Sequence, residues 1–226
     1  MHRKRLSSLL LIIGLLLLVY PGGEVLYKEY RQQRLLQQWQ DSLAVVDDGM
    51  AETGNLPLAG GPERAHTGMP GETEGQEPKS EPKAPHSPQG VLIINKIGLR
   101  LPILKGATEE NLNLSVASLE DSAEPGRPGN YALAAHRSHT YGQLFNRLEE
   151  LETGDSIQIE TGTGLYRYSV TAKLYVKPEE TWVLKESGTG EEITLITCHP
   201  MINPTHRLII KGHLAEPVAK EFSGKS

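Results

Sequence analysis

From residue 91 onward the sequence keeps returning to short runs rich in Val, Ile, Leu and Tyr, each broken within about a dozen residues by Gly, Pro or Asp. Residues 91–97 and 99–103 read as strands around Gly98, and 131–135, 156–160, 165–176, 192–197 and 208–212 continue the series. Helical patterning is confined to short pieces at 109–117 and 142–151. Many short strands separated by turn residues exclude a helical bundle and argue for an all-β sandwich or barrel of ~125 residues, assigned here to 91–217, with 218–226 as a tail.

What precedes residue 91 has a different physics. His2-Arg3-Lys4-Arg5 leads into Leu6–Tyr20, a charge-free run dominated by Leu and Ile. As a helix this run would cover about 22 Å, short of a ~30 Å hydrocarbon core, which tilt and snorkelling basic side chains accommodate. No small-residue cleavage pattern follows closely, so residues 1–23 read as a basic cytoplasmic stub and an uncleaved membrane anchor. The N-terminus is expected inside and the remainder outside. Residues 24–47 place Leu35, Leu36, Trp39, Leu43 and Val46 at helical spacing, which predicts an amphipathic juxtamembrane helix, either leaving the membrane or lying on it. Residues 48–90 hold seven Pro and eight Gly among charged and small polar residues, the composition of a disordered linker.

The net charge of −5, with no dense basic cluster beyond the first five residues, gives a phosphate backbone little to bind, so nucleic acid is not an expected partner. Cys198 is the one cysteine. It cannot form an internal disulfide, and in an exported chain it reads as a reactive thiol unless it is simply a small buried residue.

Its surroundings point to chemistry. A strand-like run ends at Cys198, a loop with Pro200, Asn203 and Pro204 follows, and a second run begins at Arg207. If the two runs pair antiparallel, Cys198 and Arg207 face each other with Cβ atoms about 5 Å apart. A guanidinium favours the thiolate, which is the nucleophilic form. Always protonated, it is suited to stabilising a developing oxyanion and not to acting as a base. A thiol enzyme also needs a group to protonate the leaving amine, usually His. His136 stands at the end of the 131–135 strand, His139 in the next loop, and His199 and His206 in the 198–207 hairpin; alternation turns His199 to the face opposite Cys198. A metal set of Cys198, His199 and His206 would have one soft ligand and no paired cysteines. Asp121 and Glu124 adjoin a Pro-Gly turn and read as turn formers.

Three segments together resemble the sortases. Thr194-Leu195-Ile196-Thr197-Cys198 with Arg207 nine residues on is similar to their catalytic signature, Pro128-Gly129-Asn130-Tyr131-Ala132-Leu133-Ala134-Ala135-His136-Arg137 to their histidine motif, and residues 94–103 to their first two strands. The resemblance spans about Gly90 to Leu214, with the motifs in family order. It implies a closed eight-stranded β-barrel that cleaves a Leu-Pro-x-Thr-Gly sorting signal between Thr and Gly. A thioester forms on Cys198, and the acyl group then passes to a cell-wall amine. On that resemblance Cys198 is the nucleophile, His136 the general acid/base, Arg207 the oxyanion-side arginine, and Thr197 a residue that helps hold substrate.

The resemblance further implies a membrane location, a sorting-signal peptide and a peptidoglycan-precursor amine as partners, and no required cofactor. The calcium-binding acidic loops of some class A members are not assigned here, since Glu149, Glu150 and Glu152 also read as a solvated helix face. An N-terminal anchor, without a second apolar span after Arg207 or an aromatic lid before the barrel, looks nearest to class D. The residues alone leave open another cell-wall thiol peptidase or transpeptidase, and a non-enzymatic anchored binding domain.

Overall fold

The structure is a computed structural model, and it describes residues 23, 26–43, 87–188 and 190–218. Helix α1 covers 26–43. Eight strands follow: β1 (Gly90–Ile94), β2 (Leu99–Lys105), β3 (Val116–Ser118), β4 (Gly129–Ala134), β5 (Ser156–Glu160), β6 (Leu165–Val176), β7 (Glu191–His199) and β8 (His206–Val218), with α2 (Glu109–Leu114) between β2 and β3. They close into a barrel in the order β1-β2-β3-β4-β7-β8-β6-β5. The pairs β2–β3 and β4–β7 are parallel, and the other six are antiparallel. Closure removes the free sheet edges that an open sheet would expose.

Strand alternation builds the core. Leu92, Ile94, Leu99, Leu101, Ile103, Val116, Tyr131, Leu133, Ile157, Ile159, Tyr168, Val170, Ile193, Leu195, Leu208 and Ile210 fill the interior, so every strand contributes, mostly at every second residue. Phe145, Leu148 and Leu151, from the chain between β4 and β5, join this cluster. The Tyr168 hydroxyl accepts from the Gly126 amide at 2.8 Å, and burial pushes its phenol up to about 12.

Three sequence-based expectations change. The run 91–97 is not one strand: Asn95–Ile97 form a 3-10 turn closed by Gly98 at φ 63, whose amide donates to the Asn95 carbonyl at 3.0 Å. The piece 109–117 is helical only to Leu114. There Ser115 turns extended, its hydroxyl donating to the Pro102 carbonyl at 2.6 Å, and β3 begins. The piece 142–151 keeps only a 3-10 turn at Leu148–Glu150, because Leu144 takes a left-handed conformation (φ 47) and the Phe145 amide is committed to the His136 carbonyl at 3.2 Å.

The predicted amphipathic helix is present as α1, and it leans on the barrel. Leu35 packs with Leu104 of β2 and Leu114 of α2, Gln32 donates to the Leu114 carbonyl at 2.7 Å, and Trp39 Nε1 donates to Glu160 at 3.1 Å. This explains why β2 is apolar on both faces: Ile103 points into the barrel, and Leu104 points out under α1. Among the described residues no helix is long and apolar enough to cross a membrane. The expected anchor at Leu6–Tyr20, the linker as far as residue 86 and the tail from 219 lie outside the described residues.

Candidate active site

The register of three neighbouring strands sets out the site. In β7 and β8, Cys198 is paired directly with Arg207, one step before the last pair, His199 with His206. In β4 and β7 the last ladder pair is Ala134 with Ile196, and the Ala135 amide still donates to the Ile196 carbonyl at 3.2 Å. Two residues further along each strand, that register sets His136 opposite Cys198. The Cys198–Arg207 pair of β7 and β8 and, by continuing the β4–β7 register two residues past the end of β4, His136 make up one row, where neighbouring strands stand about 4.8 Å apart. Cys198 and Arg207 are half-buried and His136 is exposed.

By alternation this row lies on the outer face of the barrel, the face of Ala132, Ala134, Ile196 and Ile209. That face has an apolar floor. Val176, Val183 and Ile209 are buried with the partly buried Leu174, Leu184 and Ile196 packed against them, Val183 and Leu184 being supplied by a 3-10 turn at Thr181–Leu184 in the β6–β7 connection. Beside it lies a cavity of about 450 Å³ lined by Ala107, Thr108, Leu119, Glu120, Asp121, Ser122, Ala132 and Leu184.

Thr197 points the other way. Its side chain is buried, and its hydroxyl donates to the Ala135 carbonyl at 2.9 Å. The group ties β7 to the residue before His136, so the hydroxyl is already engaged inside the protein.

The next row inward holds residues that sequence reasoning left aside. Arg137 Nη1 lies 2.8 Å from His199 Nδ1, and its Nη2 is hydrogen-bonded to the Glu149 carboxylate. Tyr175 of β6 donates to Glu149 Oε1 at 2.8 Å, its ring lies 4.5 Å from that of His199, and Lys173 donates to the Glu149 carbonyl at 2.7 Å. Hydrogen bonds from Arg137 and then Tyr175 hold the Glu149 carboxyl below the usual carboxylate range. Burial, and then Glu149, push the Tyr175 phenol up. The alternation that turned His199 away from Cys198 was the available clue, but the partner Arg137 becomes visible only once β4 is known to pair with β7.

The remaining candidates fall outside the row. His139 is exposed and lines a second cavity of about 430 Å³ with Arg137, Tyr141, Asn146, Arg147, Glu149, Glu150 and Met201. His206 Nδ1 lies 2.8 Å from the Thr205 hydroxyl. Asp121 and Glu124 lie in turns closed by Ser122 N–H to Leu119 and Arg127 N–H to Glu124. Glu150 is paired with Arg147 at 2.7 Å and Glu152 with Lys96 at 3.3 Å. Among the described residues no group of three or more His, Cys, Asp or Glu is placed to hold a metal.

Comparison with known proteins bears on the family to which this barrel belongs. A family model described as a sortase domain matches residues 92–215. Sortase A of Bacillus anthracis is 36% identical over 132 residues, 58% of this chain and 62% of that protein. Sortase D of Bacillus subtilis (strain 168) is 32% identical over 126 residues, 54% of this chain and 62% of that one. The chain thus spans 62% of the length of either relative. Among solved structures, a Clostridium perfringens sortase D5 transpeptidase superposes with a TM-score of 0.53 at 28% identity, over 57% of this chain and 80% of that one. Sortase A from Corynebacterium diphtheriae gives 0.56 at 29%, over 59% and 63%.

Proposed function

This chain belongs to the sortase family, and from that premise we propose that it is a membrane-anchored cysteine transpeptidase acting on a C-terminal sorting signal of the Leu-Pro-x-Thr-Gly kind. What supports the reading is the direct pairing of Cys198 with Arg207 across β7 and β8, with His136 two residues past the end of the neighbouring β4, at the edge of an apolar floor.

In this mechanism the Cys198 thiolate attacks the carbonyl carbon of the signal's Thr, and the electron pair displaced onto the carbonyl oxygen faces the Arg207 guanidinium. Collapse of the tetrahedral species breaks the Thr–Gly C–N bond. The leaving amine takes a proton from His136, and the acyl group stays on sulfur as a thioester. An incoming amine then attacks the thioester and gives its proton to His136, and the thiolate departs. Arg207 keeps its proton throughout. Thr197 keeps the two strand ends in register and supports substrate binding from behind the site. The apolar floor of Ile196, Val183 and Leu184 suits the Leu-Pro head of such a peptide.

The test is a fluorogenic Leu-Pro-x-Thr-Gly peptide with and without an amine acceptor, read by mass spectrometry. Cleavage between Thr and Gly, an acyl adduct on Cys198, and diversion of product to the amine adduct are expected, with none of them in Cys198→Ala. Cleavage elsewhere that ignores the amine would identify a thiol peptidase, and absence of any adduct a binding domain.

A further inference from the structure

We propose that Arg137 and His199 are a paired positioning device, one residue beyond His136 and Cys198, that holds the imidazole in line with the thiol; this rests on the transpeptidase reading.

The argument starts from where the ladder ends. Cys198 is inside a continuous antiparallel pairing that runs past it to His199 and His206. His136 has no such support. The β4–β7 ladder stops at Ala134, one amide bond from Ala135 follows, and the chain then turns away, bridging Arg137 to Leu144. The Arg137–His199 contact continues the β4–β7 register with side chains where the backbone no longer supplies it. Each residue that follows a reacting residue is bonded to the other.

The chemistry of the contact is directional. A guanidinium has donors only, so His199 Nδ1 must be the bare, accepting nitrogen, and the ring carries its proton on Nε2. The His199 ring packs against the tilted ring of Tyr175, 4.5 Å between centroids. The second terminal nitrogen of Arg137, Nη2, donates to Glu149, which β6 holds through Tyr175 and Lys173. One guanidinium thus connects the end of β4, the turn at Leu148–Glu150, β6 and β7.

The bland alternative is a stabilising surface ion pair. Two features count against it. The Arg137 side chain is only 7% exposed, and its Nε is buried without a hydrogen-bond partner. A contact serving stability alone gains nothing from an unpaired buried donor, whereas a fixed guanidinium position explains why it is tolerated. Moreover, alternation turns both residues to the face opposite Cys198, so an effect on turnover is expected to pass through His136 and Cys198.

The experiment compares the full-length chain with His199→Phe, which keeps the ring against Tyr175 but has no acceptor, and His199→Asn, whose amide oxygen takes the place of Nδ1. Arg137→Met and the Arg137→Met/His199→Phe double variant complete the set. For His199→Phe and Arg137→Met, kcat should fall about 10- to 100-fold with KM for the peptide nearly unchanged, the scale expected for a reacting group displaced by a fraction of an ångström. His199→Asn should recover most of kcat, and the double variant should be no worse than either single one. Equal losses for His199→Asn and His199→Phe, multiplicative losses in the double variant, or losses that appear only as a lowered Tm would overturn the pairing. An independent reading that needs no variant is the 15N-edited spectrum of the His199 ring in the wild-type protein: a proton on Nδ1 sinks the proposal. If the wild-type chain neither turns over peptide nor acylates Cys198, it is the functional reading that has failed.

Discussion

Cys198 and His136 arrive at the same row by different means. The thiol sits within an antiparallel ladder, bonded to β8 on one side and aligned with Arg207 by backbone pairing alone. The imidazole stands one residue past the last bond of a parallel pairing, on a chain already leaving the sheet, and it is exposed where Cys198 is half-buried. A nucleophile has to be held at a fixed position, and a ladder does this well. A proton carrier has to face both a leaving and an entering amine, so it gains from standing at the margin, provided something else fixes it. On the proposed reading, the comparison teaches that secondary structure itself places the thiol, whereas the imidazole depends on the side-chain bonds of its neighbour Arg137.

The largest effects should come from removing the groups themselves, and they should differ in kind. Loss of the acid/base in His136→Ala should lower kcat by about 10²- to 10⁴-fold. Arg207→Ala should cost about 10²- to 10³-fold, the range for a lost oxyanion donor. Because His136 is exposed at the margin, added imidazole should restore part of the activity of His136→Ala and none of that of Arg207→Ala. Equal rescue of both would break the comparison, since it would mean that the ladder-held position is as open as the marginal one.

The same contrast decides how much could be read from the sequence. An antiparallel hairpin is local: a β-run, a loop with two prolines and a second β-run suffice to set Cys198 opposite Arg207, and the structure has that pair. Strands β5 and β6 were legible for the same reason, through alternation and turn residues. Parallel pairing leaves no such local mark. Nothing in the sequence joins Arg137 to His199, 62 residues on, because that contact exists only after β4 has been laid beside β7. Strand β3 was lost because Val116–Ser118 is three residues long and continues an apparently helical pattern. The amphipathic face of α1 was visible, but an apolar stripe does not say what it covers; Leu35 packs with Leu104 and Leu114.

That docking provides the intermediate test, a region whose loss should alter stability and leave the row untouched. Leu35 is buried at the edge of the barrel, so Leu35→Ala should destabilise by about 2 kcal/mol, the low end for a buried Leu truncation. Thermal unfolding should shift down by roughly 5–10 °C for a domain of this size. At a temperature where both proteins are folded, kcat and KM should match. An unchanged Tm would show that α1 does not hold to the barrel in solution, and a changed kcat with unchanged Tm would mean that the helix reaches the site.

The smallest effect concerns the marginal side of the comparison, the loop that grips Arg137. The Glu149 carboxyl is held below its ordinary value, first by Arg137 and then by Tyr175. A folded-state pKa below the unfolded one stabilises the protein at pH above the unfolded value near 4.3, and that stabilisation is lost as pH falls through the folded value. Wild-type protein should therefore exceed Glu149→Gln in Tm at pH 6 to 7, and the gap should close as pH drops below about 4. Glu149 is 40% exposed, so solvent screening limits the difference to less than about 1 kcal/mol. A Tm gap that stays constant from pH 7 to pH 3 would show that the carboxylate charge contributes nothing here, leaving Arg137 held by His199 alone.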